Sequence, residues 1–184
     1  PVLNDGYYDD SDVKNGSHTP WGPYRGGKYS LFEAGTRVPF FTYWKGKIKP
    51  GVSDTMVSQL DLLSSLAQLV GSEVRTEDSL PLLELLMGQS NYGRKEMVIE
   101  ATSRTAFKRG DWVMIPPYEG FAVNDKVKIE LGNDPEFQLY NLSNDVGQQN
   151  NLALQNPKKL QEMLLAFEAI RGKDYRKTEK LELK

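Results

Sequence analysis

Arg25-Gly26-Gly27-Lys28-Tyr29-Ser30-Leu31-Phe32-Glu33-Ala34-Gly35-Thr36-Arg37-Val38-Pro39-Phe40 is the stretch around which this 184-residue chain is organised. A glycine pair directly precedes a lysine. Glycine lacks a Cβ, so the backbone there can approach a ligand closely. Lysine adds a compact positive charge on a flexible stem. The combination suits an anionic group, whether phosphate, sulfate or carboxylate, and spacing alone does not choose among them. A short helix-compatible run with Glu33 follows. Gly35 and Arg37 then lead into an apolar segment.

That segment, Val38 to Trp44, is β-branched and aromatic on both faces, which predicts a strand buried from both sides in an α/β sheet. Lys45 to Gly51 reads as a turn-rich connector. Ser58 with Asp61 three residues on forms a capping box, predicting a helix from Ser58 to Val70 that ends at Gly71. Leu60, Leu63, Ala67 and Val70, broadened by Leu62, Leu66 and Leu69, make an apolar face wide enough to predict burial against a sheet. Ser79 caps a second predicted helix, Leu80 to Met87.

Beyond residue 90 the pattern becomes that of an antiparallel meander. Strands are expected at Glu96 to Ala101, at Thr105 to Ile115 with a turn or bulge at Arg109-Gly110-Asp111, at Val123 to Leu131, and at Phe137 to Leu142. A final helix is expected from Pro157 to Ile170, with Asn156 as cap and Leu160, Met163, Leu164, Phe167 and Ile170 as its apolar stripe. Lys173 to Lys184 is a charged tail. The expected organisation is a closing portion of an α/β layer over 1–90, then a small antiparallel sheet with a packed helix over 91–184.

Upstream of the glycine pair, residues 1–27 read as a long loop with turns at Asn4-Asp5-Gly6 and Asn15-Gly16. Tyr7, Tyr8, Trp21 and Tyr24 within it can line a substrate mouth or simply pin the loop. Gly22 to Lys28 matches the first seven positions of a P-loop, but Tyr29 stands where Ser or Thr must hold magnesium, and no strand precedes it. Nucleotide binding is therefore not expected. Asp9-Asp10-Ser11-Asp12 lacks the register of a calcium loop and reads as a solvated acidic turn. Asn15-Gly16-Ser17 and Asn141-Leu142-Ser143 match the glycosylation sequon. The lone imidazole, His18, reads on chemistry alone as a surface residue.

Composition narrows the function classes. Hydrophobic content of 39% and charged content of 26% are those of a globular protein, and the formal net charge of -2 favours neither nucleic acid nor an anionic membrane. No apolar run approaches the roughly 18 residues of a membrane span. With no cysteine and one histidine, disulfides, thiolate metal sites, a cysteine nucleophile and multi-histidine metal sites are excluded within these residues.

The segment Pro20 to Phe40 resembles the second signature of the type I sulfatases, the arylsulfatase-like enzymes of the alkaline phosphatase superfamily, whose usual form is R-G-G-K-x-[ST]-x-[YF]-E-G-G-x-R-V-P. Trp44 to Gly51 continues the likeness, as does Ser58-Gln59-Leu60-Asp61-Leu62-Leu63, with Ser64 in place of a common proline. Phe137-Gln138-Leu139-Tyr140-Asn141-Leu142 and Asn150-Asn151-Leu152-Ala153 resemble the family's late E-L-Y-D-L and E-x-x-N-L-A segments.

The resemblance implies a C-terminal portion of a sulfatase fold: the end of the large sheet, then the antiparallel sheet and helix. It implies that Lys28 contacts the sulfate ester and supports charge in the transition state. Arg25, Gly26 and Gly27 would shape the loop, Glu33 and Arg37 would pair structurally, and His18 would lie near the substrate mouth. The family's C/S-x-P-x-R motif, source of its formylglycine nucleophile, is absent. Its calcium ligands are expected upstream of Pro1, with none in this chain. A piece of this kind is expected to be inactive alone and to dimerise or aggregate through surface left bare around Val38–Trp44 and the Ser58–Val70 helix. A sulfated aryl or carbohydrate substrate and a periplasmic or secreted bacterial parent are implied as well. The alternatives are a phosphoester or phosphonate hydrolase of the same superfamily and a non-catalytic carbohydrate-binding module.

Overall fold

The computed structural model describes residues 14, 16–74 and 76–174. Tyr7, Tyr8, the Asn4-Asp5-Gly6 turn, the Asp9-Asp10-Ser11-Asp12 cluster, Asn15 of the first sequon and residues 175–184 of the tail lie outside the described residues. In chain order the elements are a single 3-10 turn, Glu33–Gly35; helices α1, Asp61–Leu69, and α2, Leu83–Leu86; strands β1, Glu96–Ala101, β2, Arg104–Arg109, β3, Trp112–Ile115, β4, Val123–Asn124, β5, Ile129–Glu130, and β6, Gln138–Asn141; and helix α3, Pro157–Arg171. No described helix is long and apolar enough to cross a membrane. The described residues form two compact units, one combining Pro1–Val38 with Glu96–Lys184 and the other holding Pro39–Lys95. The loop that carries Lys28 thus belongs with the antiparallel sheet, whereas the sequence grouped it with residues up to 90.

The larger unit is built on an antiparallel sheet of order β1-β2-β3-β6. Its register pairs Val98 with Phe107, Phe107 with Met114, and Met114 with Leu139. Because successive strand residues face opposite sides, each strand feeds two cores. One face gathers Ile99, Ala106, Val113, Ile115 and Tyr140 against Leu31 and Phe32 of the loop. The other gathers Phe107, Met114 and Leu139 against Met163 and Phe167 of α3. The sheet is therefore covered by the loop on one side and by a helix on the other. Leu31 and Phe32, 1% and 2% exposed, anchor the loop into that sheet. The expected Val123 to Leu131 strand is instead two short arms, β4 and β5, pairing Val123 with Glu130. Asn124 accepts the Lys126 amide at 3.1 Å, and Lys128 takes φ of 53°, so local turn chemistry interrupts the alternation.

The smaller unit departs from expectation twice. Val38 to Trp44 is not a strand and not buried: it is irregular, with Phe41 85% and Tyr43 82% exposed. A strand needs a neighbour for its amides and carbonyls, and no described strand of this unit supplies one. Helix α1 forms within the expected span but starts at Asp61 rather than Ser58, with the Ser58 amide donating to Asp61 Oδ2 at 2.9 Å. Yet Leu60, Leu63, Leu66, Leu69 and Val70 are exposed, and the buried face is Asp61, Ser64, Ser65 and Ala67. These small polar side chains let the 79–82 backbone come close. Ser64 donates its amide to Ser79 Oγ at 2.9 Å, and the Leu82 amide donates to Ser65 Oγ at 2.9 Å. Ser79 is thereby diverted from capping, and the second helix shrinks to Leu83–Leu86.

Asp61 centres the smaller unit. Fully buried, it receives Arg94 Nε at 2.8 Å and Nη2 at 2.6 Å, and the Leu80 amide at 2.9 Å. Arg94 also donates to the Asp78 carbonyl. Burial pushes the Asp61 carboxyl up, but the Arg94 hydrogen bonds and the Leu80 and Ser58 amides outweigh it. They hold the carboxyl below its ordinary value of 3.8.

Candidate functional site

The loop from Arg25 to Arg37 is held from beneath by groups far away in sequence. Arg25 makes a two-pronged pair with Glu130 of β5, Nε at 2.9 Å and Nη2 at 2.6 Å. Its Nη1 donates to the Gln148 carbonyl at 2.7 Å, and its guanidinium lies 4.1 Å from the Phe32 ring centroid. The hydrogen bond to Glu130 raises the Arg25 pKa. The same hydrogen bond depresses Glu130, against the opposing push of burial. Bidentate pairing of this kind fixes orientation as well as charge.

Inside the loop, two glycines are required by geometry. Gly26 sits at φ of 84°, and a Cβ there would overlap the Ser30 hydroxyl. At Gly35 a Cβ would overlap the Ser30 carbonyl and come within 2.9 Å of the Gly27 carbonyl. Ser30, fully buried, donates its amide to Gly27 O at 3.0 Å and accepts the Phe32 amide at 3.1 Å. The Leu31 amide donates to Leu131 O at 3.0 Å, which ties the loop to the segment after β5.

Glu33, 2% exposed, accepts Arg37 Nε at 2.5 Å and Lys108 Nζ of β2 at 2.7 Å on the same oxygen. Arg37 reaches on to the Tyr24 hydroxyl at 3.2 Å and lies over its ring. The Glu33 amide donates to Gln148 Oε1 at 2.8 Å. That bond fixes the amide orientation of buried Gln148 and leaves its Nε2 without a hydrogen-bond partner among the described residues.

Arg25, Arg37 and Lys108 are thus each matched by a carboxylate. Lys28 differs. It is exposed, forms no ion pair among the described residues, and places Nζ 5.1 Å from the Tyr29 ring centroid. His18 is exposed, and no hydrogen bond or ion pair with described residues joins it to the loop. The structure therefore brings Arg25, Gly26, Gly27, Lys28, Glu33 and Arg37 together and leaves His18 apart from that network. Glu130, Lys108, Gln148 and Tyr29 complete the site. Sequence reading missed them because Glu130, Lys108 and Gln148 lie far from the loop in sequence and no local pattern marks the positive φ of Tyr29.

Lys28 is thus an exposed ammonium with no carboxylate partner among the described residues, on a glycine loop braced from beneath. The family model described as Sulfatase matches residues 14–72. The chain is 39% identical over 175 residues to N-acetylgalactosamine-6-O-sulfatase of Bacteroides thetaiotaomicron, covering 93% of this chain and 34% of that protein. It is 30% identical over 170 residues to arylsulfatase A of Bos taurus, covering 79% of this chain and 34% of that protein. A solved structure reported for glycosaminoglycan metabolism by Bacteroides thetaiotaomicron matches with a TM-score of 0.88 at 38% identity, over 93% of this chain and 36% of that one.

The chain belongs to the sulfatase family and has the mixed α/β fold, antiparallel sheet and C-terminal helix of its solved relative. It spans about a third of the length of these relatives.

Proposed function

We propose that the protein carrying this chain is a sulfuric ester hydrolase and that Lys28 contacts the sulfate group of its substrate. The observation that supports this reading is the charge pattern of the loop. Glu130 and Glu33 answer the surrounding cations, and Lys28 alone among those of the loop is left for an external anion. As the S–O bond breaks, negative charge grows on the sulfuryl oxygens, and an ammonium held there stabilises it. The similarity to a protein named N-acetylgalactosamine-6-O-sulfatase favours a sulfated carbohydrate over an aryl ester as natural substrate. Export to the periplasm or the medium belongs to the same proposal.

So do a formylglycine nucleophile and a calcium ion, but the residues of this chain do not fit either. The sequence has no cysteine and no C/S-x-P-x-R motif. Among the described residues no group of three His, Cys, Asp or Glu side chains could hold a metal ion. In this reading both come from residues other than these 184.

The test is turnover of p-nitrophenyl sulfate and of 6-sulfated N-acetylgalactosamine by the longest natural form of the polypeptide. Lys28→Ala is expected to lower kcat/KM by about 10²–10³-fold, the loss typical of removing one transition-state charge contact. Its thermal midpoint should not move, because Lys28 holds nothing else in place. Wild-type kcat/KM in Lys28→Ala would overturn the assignment. The 184-residue chain alone should show no turnover.

The bare apolar side chains lead to a second expectation. Leu63, Leu66, Phe41 and Tyr43 are 54%, 52%, 85% and 82% exposed. Leu63 and Leu66 stand one turn apart on α1, and monomeric proteins rarely leave large apolar areas uncovered. The 184-residue chain should self-associate at micromolar concentration, and Leu63→Gln with Leu66→Gln should shift it toward monomer in sedimentation velocity. A monomeric parent chain at high concentration would contradict this.

A further inference from the structure

Tyr29 follows Lys28 directly and occupies a backbone conformation that bulky residues avoid, with φ of 76°. Glycine or asparagine adopts that region at lower cost. A tyrosine kept there needs a compensating role, and packing is not it. The side chain is 43% exposed. Among the described residues its hydroxyl makes no hydrogen bond and its ring meets no other ring. Its contact is with the neighbouring cation, whose Nζ lies over the ring face 5.1 Å from the centroid.

We infer that Tyr29 is a positioning residue for the Lys28 ammonium: its left-handed backbone turns the ring beneath Nζ and holds the charge in place. A lysine stem has several rotatable bonds, and an exposed one is spread over many rotamers. The other cations of the site escape this problem because a carboxylate fixes each of them. A carboxylate beside Lys28 would cancel the charge that an incoming anion needs. An aromatic face attracts the ammonium without neutralising it, which orders the side chain and leaves its charge available. The φ at Tyr29 is thus the cost of an ordered, unneutralised lysine.

This inference rests on Lys28 being the anion contact, and the experiment separates the two. Binding of inorganic sulfate to the longest natural form of the polypeptide is measured by calorimetry, with the thermal midpoint recorded for each variant. Tyr29→Phe keeps the ring and should bind sulfate as wild type does. Tyr29→Leu keeps bulk and backbone strain but loses the ring, and should weaken binding about two- to fivefold. Tyr29→Gly should weaken binding at least as much while raising the thermal midpoint, because the strain is relieved. Lower affinity together with higher stability is a result that a purely structural tyrosine would not produce.

If Lys28→Ala abolishes sulfate binding while the Leu and Gly variants bind as wild type does, the role of Tyr29 is refuted and Lys28 stands. If Lys28→Ala itself binds sulfate normally, the anion reading fails and the Tyr29 inference falls with it.

Discussion

Replacing Arg94 by methionine will destabilise the unit formed by Pro39–Lys95 by about 3–5 kcal/mol, the usual consequence of stripping the partner from a buried charge. Asp61 is 0% exposed, and among the described residues Arg94 is its only cationic partner, gripping both carboxylate oxygens. Methionine conserves the length of the stem and removes the charge, so a carboxylate would remain buried with amides as its only donors. Arg94 also satisfies the Asp78 carbonyl, which the variant leaves open. Arg94→Lys should fall between, since an ammonium cannot reproduce the two-pronged geometry. The measurement is the urea midpoint followed by hydrogen exchange over α1. A loss under about 0.5 kcal/mol, the range of neutral surface changes, would sink the claim that this pair holds the unit together.

The same site sets a pH dependence whose sign follows from the depressed native pKa. With its carboxyl held below 3.8, Asp61 contributes stability that is complete above that ordinary value. The contribution is lost as pH falls through the lower native value. Asp61→Asn should remove this acid-side decline while lowering stability at neutral pH. A wild-type acid transition that survives unchanged in Asp61→Asn would assign it to other groups.

What could be read from the sequence was what local chemistry decides. β1 forms at Glu96–Ala101 as expected, and α3 starts at Pro157, because alternation and a helix-entry proline act over a few residues. The tightness of the loop was legible too, since the need for a missing Cβ at Gly26 and Gly35 is visible as glycine itself. What failed depends on neighbours. Val38 to Trp44 has strand composition but no described partner strand, so its backbone stays irregular. The leucines of α1 have helical period, yet its serine face is buried, because hydrophobicity alone cannot report that Ser64 and Ser65 satisfy the 79–82 backbone. Arg25 meets Glu130 across 105 positions and Glu33 meets Gln148 across 115, and no local pattern encodes either pairing.

Those long pairings bear on Glu33, whose conversion to glutamine should weaken stability and anion binding together. One carboxylate oxygen of Glu33 answers both Lys108, 13% exposed, and Arg37, 45% exposed. A glutamine oxygen still accepts a hydrogen bond but carries no charge. Arg37 can turn to water, whereas Lys108 is enclosed and would be left as a nearly buried cation. A loss of about 3 kcal/mol is expected, toward the lower end for broken buried pairs because one partner can rehydrate. Glu33 also lies in the turn that hangs from Gln148, five residues after Lys28, so loosening it widens the range of positions open to the Lys28 loop. Sulfate affinity should therefore fall several-fold in Glu33→Gln, and Lys108→Met made in the Glu33→Gln background should recover much of the stability by removing the stranded charge. Lys28→Ala is the contrasting case, in which sulfate binding is expected to be lost and stability kept. If Glu33→Gln melts early yet binds sulfate with wild-type affinity, Glu33 holds the sheet to the loop without governing where Lys28 sits.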